Sequence, residues 1–160
     1  MTIIIGIDPG SRRTGYGIIR LIHNRQLYLT SGFLNLISYA FPERLQQIYV
    51  GLQQIVQLYQ PEEAAIEQVF MRNNPNSAIK LGQARGAAIV ALPIPITEYS
   101  ARQVKQSVVG HGGADKSQVA YMVKRLLNLN SCVLQEDAAD ALAVALCHAQ
   151  ARHLKKLTSE

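Results

Sequence analysis

The chain opens with an uninterrupted apolar run, Ile3-Ile4-Ile5-Gly6-Ile7, which stops at the charged residue Asp8. A segment that is apolar at every position predicts a strand buried on both faces, and such a strand lies in the middle of a sheet. Pro9-Gly10-Ser11 then predicts a turn, because proline and glycine favour turn conformations. Two more strands, joined by a hairpin turn, are predicted at 15–22 and 27–34. The chain is therefore expected to begin as an antiparallel sheet.

Beyond residue 40 the pattern changes to helices that alternate with short strands. Pro42 lies near the start of a helix whose apolar residues, among them Ile48, Tyr49 and Tyr59, predict a core-facing stripe. The remaining predicted elements are a strand at 62–67, a helix capped by Asn74 and ending near Val90, a strand at 94–98, a helix capped by Ser100 and ending before Gly110, a helix capped by Asp115 and ending near Leu129, and a final helix over 136–153. This order predicts an α/β fold, a mixed five-stranded sheet with helices on both faces.

Four acidic residues, Asp8, Glu67, Asp137 and Asp140, end or interrupt apolar stretches. Carboxylates are rarely buried unless they are paired or bind a cation, and these four have no basic partner within their own segments. Asp137 and Asp140 are three residues apart in a predicted helix and point the same way, and the two strand-end acids could face them. The pattern predicts a site for Mg²⁺ or Mn²⁺, with two ions about 3.5–4 Å apart. The alternatives are a helix cap for Asp137 and a solvated charge for Asp140.

Basic residues are concentrated in the middle of the chain. The net charge is +5, and the segment from Arg72 to Arg125 holds eight basic residues and two acidic ones. Such a segment beside an acidic metal site predicts a polyanionic substrate that is cut at that site. The alternative, a solvated helix face, is the expectation for Lys124 and Arg125.

Composition excludes other classes of protein. Apolar residues make up 48% of the chain and charged residues 17%, so a disordered chain is not expected. The first apolar run is cut at Asp8 and no other run is long enough to cross a bilayer, so neither a signal peptide nor a membrane span is predicted. Cys132 and Cys147 lack metal-ligand spacing, which predicts two packing thiols in a cytoplasmic protein.

Five segments resemble, in order, the motifs of the RuvC family of bacterial Holliday-junction resolvases. They cover nearly the whole chain and lie at 5–17 (IGIDPGSRRTGYG), 65–71 (AIEQVFM), 81–86 (LGQARG), 101–106 (ARQVKQ) and 137–143 (DAADALA). The resemblance implies a ribonuclease-H-like fold and a single nuclease domain over residues 1–160.

The resemblance also implies a function. Members of this family are Mg²⁺-dependent endonucleases that cut four-way DNA junctions in recombination and repair, and they work with the RuvA–RuvB branch-migration complex. A homodimer is implied as well, and it suits a junction of approximate two-fold symmetry because each active site can meet one of two like strands. Paired nicks that leave 5′-phosphates and 3′-hydroxyls would yield two duplexes for ligase to seal.

Matching motif by motif, the resemblance assigns catalytic and metal-binding roles to Asp8, Glu67, Asp137 and Asp140. Phe70 matches the aromatic residue that stacks on bases opened at the junction. The predicted DNA-binding residues are Phe70, Arg72, Lys80, Arg85, Arg102, Lys105 and Lys116. Without the resemblance, Phe70 would be expected in the core because it follows a strand, and Lys105 and Lys116 would be expected as ordinary surface charges.

Two other functions stay open on the sequence. The segment Asp8-Pro9-Gly10-Ser11 also fits the phosphate loop of the actin and sugar-kinase group, which binds ATP, although that group needs a second domain. The other rival is a junction-binding protein without catalytic activity, which a metal-dependence test would identify. Arg12, Arg13 and Thr14 could contact DNA or face solvent.

Overall fold

The computed structural model describes residues 1–69 and 74–158, which form five strands and five helices. The strands are β1 Thr2–Asp8, β2 Arg13–Ile22, β3 Arg25–Asn35, β4 Glu63–Glu67 and β5 Ile96–Tyr99. The helices are α1 Phe41–Tyr59, α2 Pro75–Val90, α3 Ala101–Val109, α4 Lys116–Leu126 and α5 Glu136–Thr158. None of the helices in these residues is long and apolar enough to span a bilayer.

The five strands form one mixed sheet in the order β3-β2-β1-β4-β5. β1 pairs antiparallel with β2 and parallel with β4, and β4 pairs parallel with β5. The apolar run of β1 lies in the centre, where Ile4, Ile5 and Ile7 are completely buried. The predicted mixed five-stranded sheet is thereby confirmed. β1 is its central strand, as its uniformly apolar sequence predicts.

The sheet has helices on both faces because side chains of β1 alternate between two cores. Ile4 packs in the core formed with α3, α4 and α5, whereas Ile5 and Ile7 pack in the core formed with α1 and α2. Ile48 and Leu52 of α1 are completely buried in that second core, as their spacing predicts. The predicted helix layers are confirmed.

The helix starts follow the predicted capping residues. The Asn74 side chain accepts hydrogen bonds from the amides of Asn76 and Ser77 at the start of α2. Ser100 and Asp115 each form a reciprocal capping box with a glutamine three residues later. These local bonds satisfy amides that would otherwise lack partners at the first turn.

Some sequence expectations are wrong in detail. Tyr49 is 39% exposed rather than core, because it lies about 100° around α1 from the buried Ile48. Its hydroxyl instead accepts a hydrogen bond of 2.8 Å from Gln53. Helix α4 ends before Leu129, since Asn128 has a left-handed φ of 56°. Cys132 is exposed, whereas Cys147 is buried as expected.

Candidate active site

Two of the four predicted acids lie at the same edge of the sheet. Asp8 and Glu67 are the last residues of β1 and β4. These strands are parallel, with Ile7 paired to Ile66, so their carboxyl ends meet side by side. Two carboxylates are thus brought together by strand register alone, as the sequence predicts.

Helix α5 brings the other two acids to that edge. Asp8 is paired across the sheet with Gly15 of β2, and the first turn of α5 lies against this glycine. A Cβ atom on Gly15 would lie 2.6 Å from the carbonyl carbon of Asp137, so a larger residue would push the helix away. Asp140 follows one turn later, on the same side of the helix.

The four acids line one open cleft of about 440 Å³, together with Lys105 and Lys116. The cleft wall also includes apolar residues of α2, α3, α4 and α5, namely Leu81, Val104, Val119 and Val144. The structure therefore brings together the predicted acids and two of the predicted DNA-binding lysines, although their roles stay predictions. A cleft with both charge signs can bind a phosphate and a cation at neighbouring positions.

Burial and neighbouring carboxylates destabilise the charged forms of Asp8 and Asp140. Burial raises the pKa of Asp8 to about 8, with further contributions from the carboxylates of Asp140, Asp137 and Glu67. Burial also raises the pKa of Asp140 above its ordinary value, although the ammonium group of Lys116 opposes this shift. A strongly raised carboxyl pKa means that ionisation is unfavourable in the protein alone, and a bound cation would favour the ionised form.

Two of the acids have basic partners from distant segments, which sequence reasoning did not find. Lys116 Nζ lies 3.5 Å from Asp140 Oδ2, and it also donates a hydrogen bond of 2.8 Å to Glu136. Arg13 lies 4.0 Å from Asp137 and its guanidinium group lies 5.2 Å from the ring centre of Phe33. The one sequence signal for Glu136 is its position four residues before Asp140 on the same helix face.

The side chains of the cleft have the chemistry that a divalent cation requires. All four donors are carboxylates, the ligands that Mg²⁺ and Mn²⁺ prefer, and Asp8 carries the raised pKa described above. In residues 1–69 and 74–158, however, no three Asp, Glu, His or Cys side chains are already gathered closely enough to hold an ion. Binding an ion would therefore require these side chains to move closer together.

The turn after Asp8 is fixed by Thr14. The Thr14 hydroxyl donates a hydrogen bond of 2.9 Å to the Gly10 carbonyl and accepts one of 3.3 Å from the Gly10 amide. Because Thr14 is completely buried, it serves the turn and does not face solvent. Arg12 and Arg13 are exposed at the same turn.

Three other predicted DNA-binding residues, Lys80, Arg85 and Arg102, are not among the residues that line the cleft. Arg85 donates a hydrogen bond of 2.7 Å to Glu98 and is mostly buried. The Lys80 ammonium group lies 5.8 Å from the ring centre of Phe41. Arg102 packs against the Gly112 backbone. Phe70 and Arg72 lie outside the described residues, so all five assignments stay predictions.

A family model and related sequences both match this chain over nearly its whole length. The family model described as crossover junction endodeoxyribonuclease RuvC matches residues 4–148. The protein of that name from Tolumonas auensis is 59% identical over 151 residues, which cover 92% of this chain and 87% of that protein. Its Acinetobacter baumannii counterpart is 56% identical over an alignment of 162 residues, covering 99% of this chain and 89% of the other.

The solved structures agree. Thermus thermophilus RuvC in complex with a Holliday junction substrate superposes with a TM-score of 0.89 at 31% identity, covering 97% of both chains. The yeast mitochondrial Holliday junction resolvase Ydc2 has a TM-score of 0.66 at 14% identity and shows the same fold. The sheet order and the acid-lined cleft at its edge define a ribonuclease-H-like protein. More specifically, the chain belongs to the RuvC family of crossover junction endodeoxyribonucleases.

Proposed function

We propose that this chain is a structure-specific endonuclease that resolves Holliday junctions in recombination and repair. The observation that carries the proposal is the single cleft that is lined by Asp8, Glu67, Asp137 and Asp140 together with Lys105 and Lys116. Membership of the RuvC family supports it, because the relatives are named as crossover junction endonucleases and one was solved with junction DNA. The chain is proposed to act as one nuclease unit over residues 1–160.

The cofactor is proposed to be Mg²⁺, with Mn²⁺ as a substitute and two ions in each active site. Asp8, Glu67, Asp137 and Asp140 would hold them through carboxylate oxygens. When bound, the ions would supply an activated water and stabilise charge on the leaving oxygen of the phosphodiester. The pKa of Asp8, raised by burial and by the neighbouring carboxylates, supports this assignment, because a bound cation would favour the ionised form of this side chain.

The protein's own residues position the DNA strand. Lys105 and Lys116 lie on the cleft wall and would neutralise phosphates next to the scissile bond. Phe70 is proposed to stack on a base opened at the junction centre, which would hold the strand in the cleft. Hydrolysis would leave a 5′-phosphate and a 3′-hydroxyl that ligase can rejoin.

The assembly is proposed to be a homodimer. A two-fold symmetric dimer can present two clefts to two like strands of one junction, so that the nicks are paired. The RuvA–RuvB branch-migration complex is the proposed partner, and the bacterial cytoplasm the proposed location.

The test compares substrates of identical sequence. Purified protein is incubated with a synthetic four-way junction and with the corresponding linear duplexes, each with Mg²⁺ or with EDTA. The proposal expects paired nicks in the junction alone and only with Mg²⁺. Equal cutting of duplex, or tight binding of ATP without junction cleavage, would favour a rival function.

A further inference from the structure

Glu136 shares a lysine with one of the proposed metal-binding acids. The ammonium nitrogen of Lys116 lies 2.8 Å from Glu136 Oε1 and 3.5 Å from Asp140 Oδ2. The Glu136 side chain is 69% exposed, whereas that of Asp140 is 27% exposed and lines the cleft. The single positive charge therefore sits between an outer and an inner carboxylate, closer to the outer one.

The backbone of both helices fixes this arrangement. Glu136 and Asp140 are four residues apart on α5, so their side chains lie on the same face of the helix. Lys116 is the first residue of α4, whose start is held by the Asp115–Gln118 capping box. The start of α5 packs closely against Gly15. The long Lys116 side chain is therefore the part that can move, and its ammonium group can shift between the two carboxylates.

A lysine ammonium and a divalent cation compete for the same carboxylate. Lys116 has three N–H donors, and its ammonium group could move closer to the Asp140 carboxylate if no other acceptor were near. The hydrogen bond to Glu136 is the shorter of the two contacts and draws the ammonium group outward. Removing the Glu136 charge would therefore let Lys116 move onto Asp140.

We propose that Glu136 is a positioning residue that holds the Lys116 ammonium group away from Asp140 and so leaves this carboxylate available to a divalent cation. The inference rests on the proposed function, because it takes Asp140 as a metal-binding residue. It assigns to Glu136 a task that acts through Lys116 and not by contact with the ion.

A simpler explanation would be that Glu136 only adds negative charge near the site. A through-space effect of this kind would attract the cation whether or not a lysine stood at position 116. The two explanations make different predictions for a protein that lacks the Lys116 charge. There, Glu136 has no ammonium group to position, so a positioning role predicts no effect of Glu136→Gln on cation binding.

The experiment measures Mn²⁺ binding to the full-length protein without DNA, by electron paramagnetic resonance titration. The proteins are the wild type, Glu136→Gln, Lys116→Met and the double variant. Glu43→Gln is the matched control, since Glu43 is also an exposed glutamate in the first turn of a helix. Thermal unfolding of each variant checks that the fold is kept.

We expect Glu136→Gln to raise the Kd for Mn²⁺ about two- to five-fold, the effect expected of one exposed ion pair. Lys116→Met should lower the Kd, because it removes the competing cation from Asp140. In the Lys116→Met background, Glu136→Gln should change the Kd by less than about 1.5-fold, and Glu43→Gln should leave it unchanged.

An unchanged Kd for Glu136→Gln, or an equal rise with and without Lys116, would overturn the positioning role alone. Failure of the wild type to bind Mn²⁺ at all would overturn the proposed metal site, and the inference with it.

Discussion

Gly6 of β1 lies directly against Ala141 of α5. A Cβ atom on Gly6 would overlap the Ala141 carbonyl oxygen and lie 2.8 Å from the amide nitrogen of Ala145. The backbone of helix α5 therefore packs directly on the backbone of β1, two residues before Asp8. This contact holds the start of α5 close enough for its two acids to share a cleft with Asp8.

Gly6→Ala is expected to lower the free energy of unfolding by at least about 1–3 kcal/mol, since backbone on both sides must move to admit the methyl group. Gly86→Ala is the control, because a Cβ atom there meets nothing within 4 Å. In helix α2 that substitution should be neutral or stabilise by up to about 1 kcal/mol. Urea unfolding at one protein concentration measures both, and equal stability of the two variants would contradict the packing described here.

A second prediction concerns pH and the ion pair between β4 and α5. Glu63 Oε2 lies 2.7 Å from His148 Nε2, and Glu63 Oε1 accepts a hydrogen bond of 2.9 Å from Arg152. Burial raises the pKa of Glu63, but the hydrogen bond with His148 and the charge of Arg152 outweigh it, so the pKa lies below its ordinary value. Ionised Glu63 therefore stabilises the fold above the pKa of the unfolded chain, and this contribution is lost as the pH falls through the lowered folded-state pKa.

Glu63→Gln should accordingly lower the free energy of unfolding by about 1–3 kcal/mol at pH 7. The difference from the wild type should shrink as the pH falls below about 4. Glu62→Gln, an exposed neighbour with one long hydrogen bond of 3.3 Å to the Ile3 amide, should have a smaller effect. Urea unfolding at pH 7 and at pH 3.5 makes the comparison, and a Glu63→Gln deficit that is constant across this range would refute the ion-pair account.

A third prediction concerns the lysines of the cleft. Lys105→Ala should weaken junction binding and reduce the slope of log K against log salt concentration by about 0.9, the loss of one phosphate contact. Lys124→Ala is the control, since Lys124 lies in the last turn of α4 and not on the cleft wall. Gel-shift titrations over a range of salt concentrations give both slopes. Identical slopes for the two variants would remove Lys105 from the DNA interface.

The fourth prediction concerns Phe70. As a stacking residue, Phe70→Ala should barely change thermal stability but cost about 1–3 kcal/mol of base stacking at the opened junction. A junction with bases already unpaired at its centre should partly restore cleavage by Phe70→Ala. It should not restore cleavage by Lys105→Ala. A stability loss of about 3–5 kcal/mol without such rescue would instead place Phe70 in the core.

The sequence predicted the parts of the site that depend on local pattern. The uniform apolar run before Asp8 marks a central strand, and the spacing of Asp137 and Asp140 marks one helix face, so both could be placed without a structure. The four acids were grouped into one metal site because each ends or interrupts an apolar stretch, and the resemblance to a family assigned their catalytic roles.

The ion pairs of the site could not be predicted in the same way. Arg13 lies near Asp137, and Lys116 contacts both Glu136 and Asp140, because α5 packs on β1 and β2 and α4 packs beside α5. Such contacts join segments far apart in the chain and depend on side-chain direction in the folded protein. Arg85 is a similar case, since its salt bridge to Glu98 follows from the packing of α2 beside β5 and not from any local signal.

The most direct test of the central claim is a nicking assay on an end-labelled four-way junction, run beside a gel shift. Asp8→Asn, Glu67→Gln and Asp140→Asn are each compared with the wild type in Mg²⁺ and in EDTA. The account predicts paired symmetric nicks by the wild type in Mg²⁺ alone. The three variants should bind the junction normally and leave it uncut, because affinity comes from basic residues and cleavage from the acids. Wild-type nicking by any of the three variants, or cleavage in EDTA, would contradict a metal site built on these four acids.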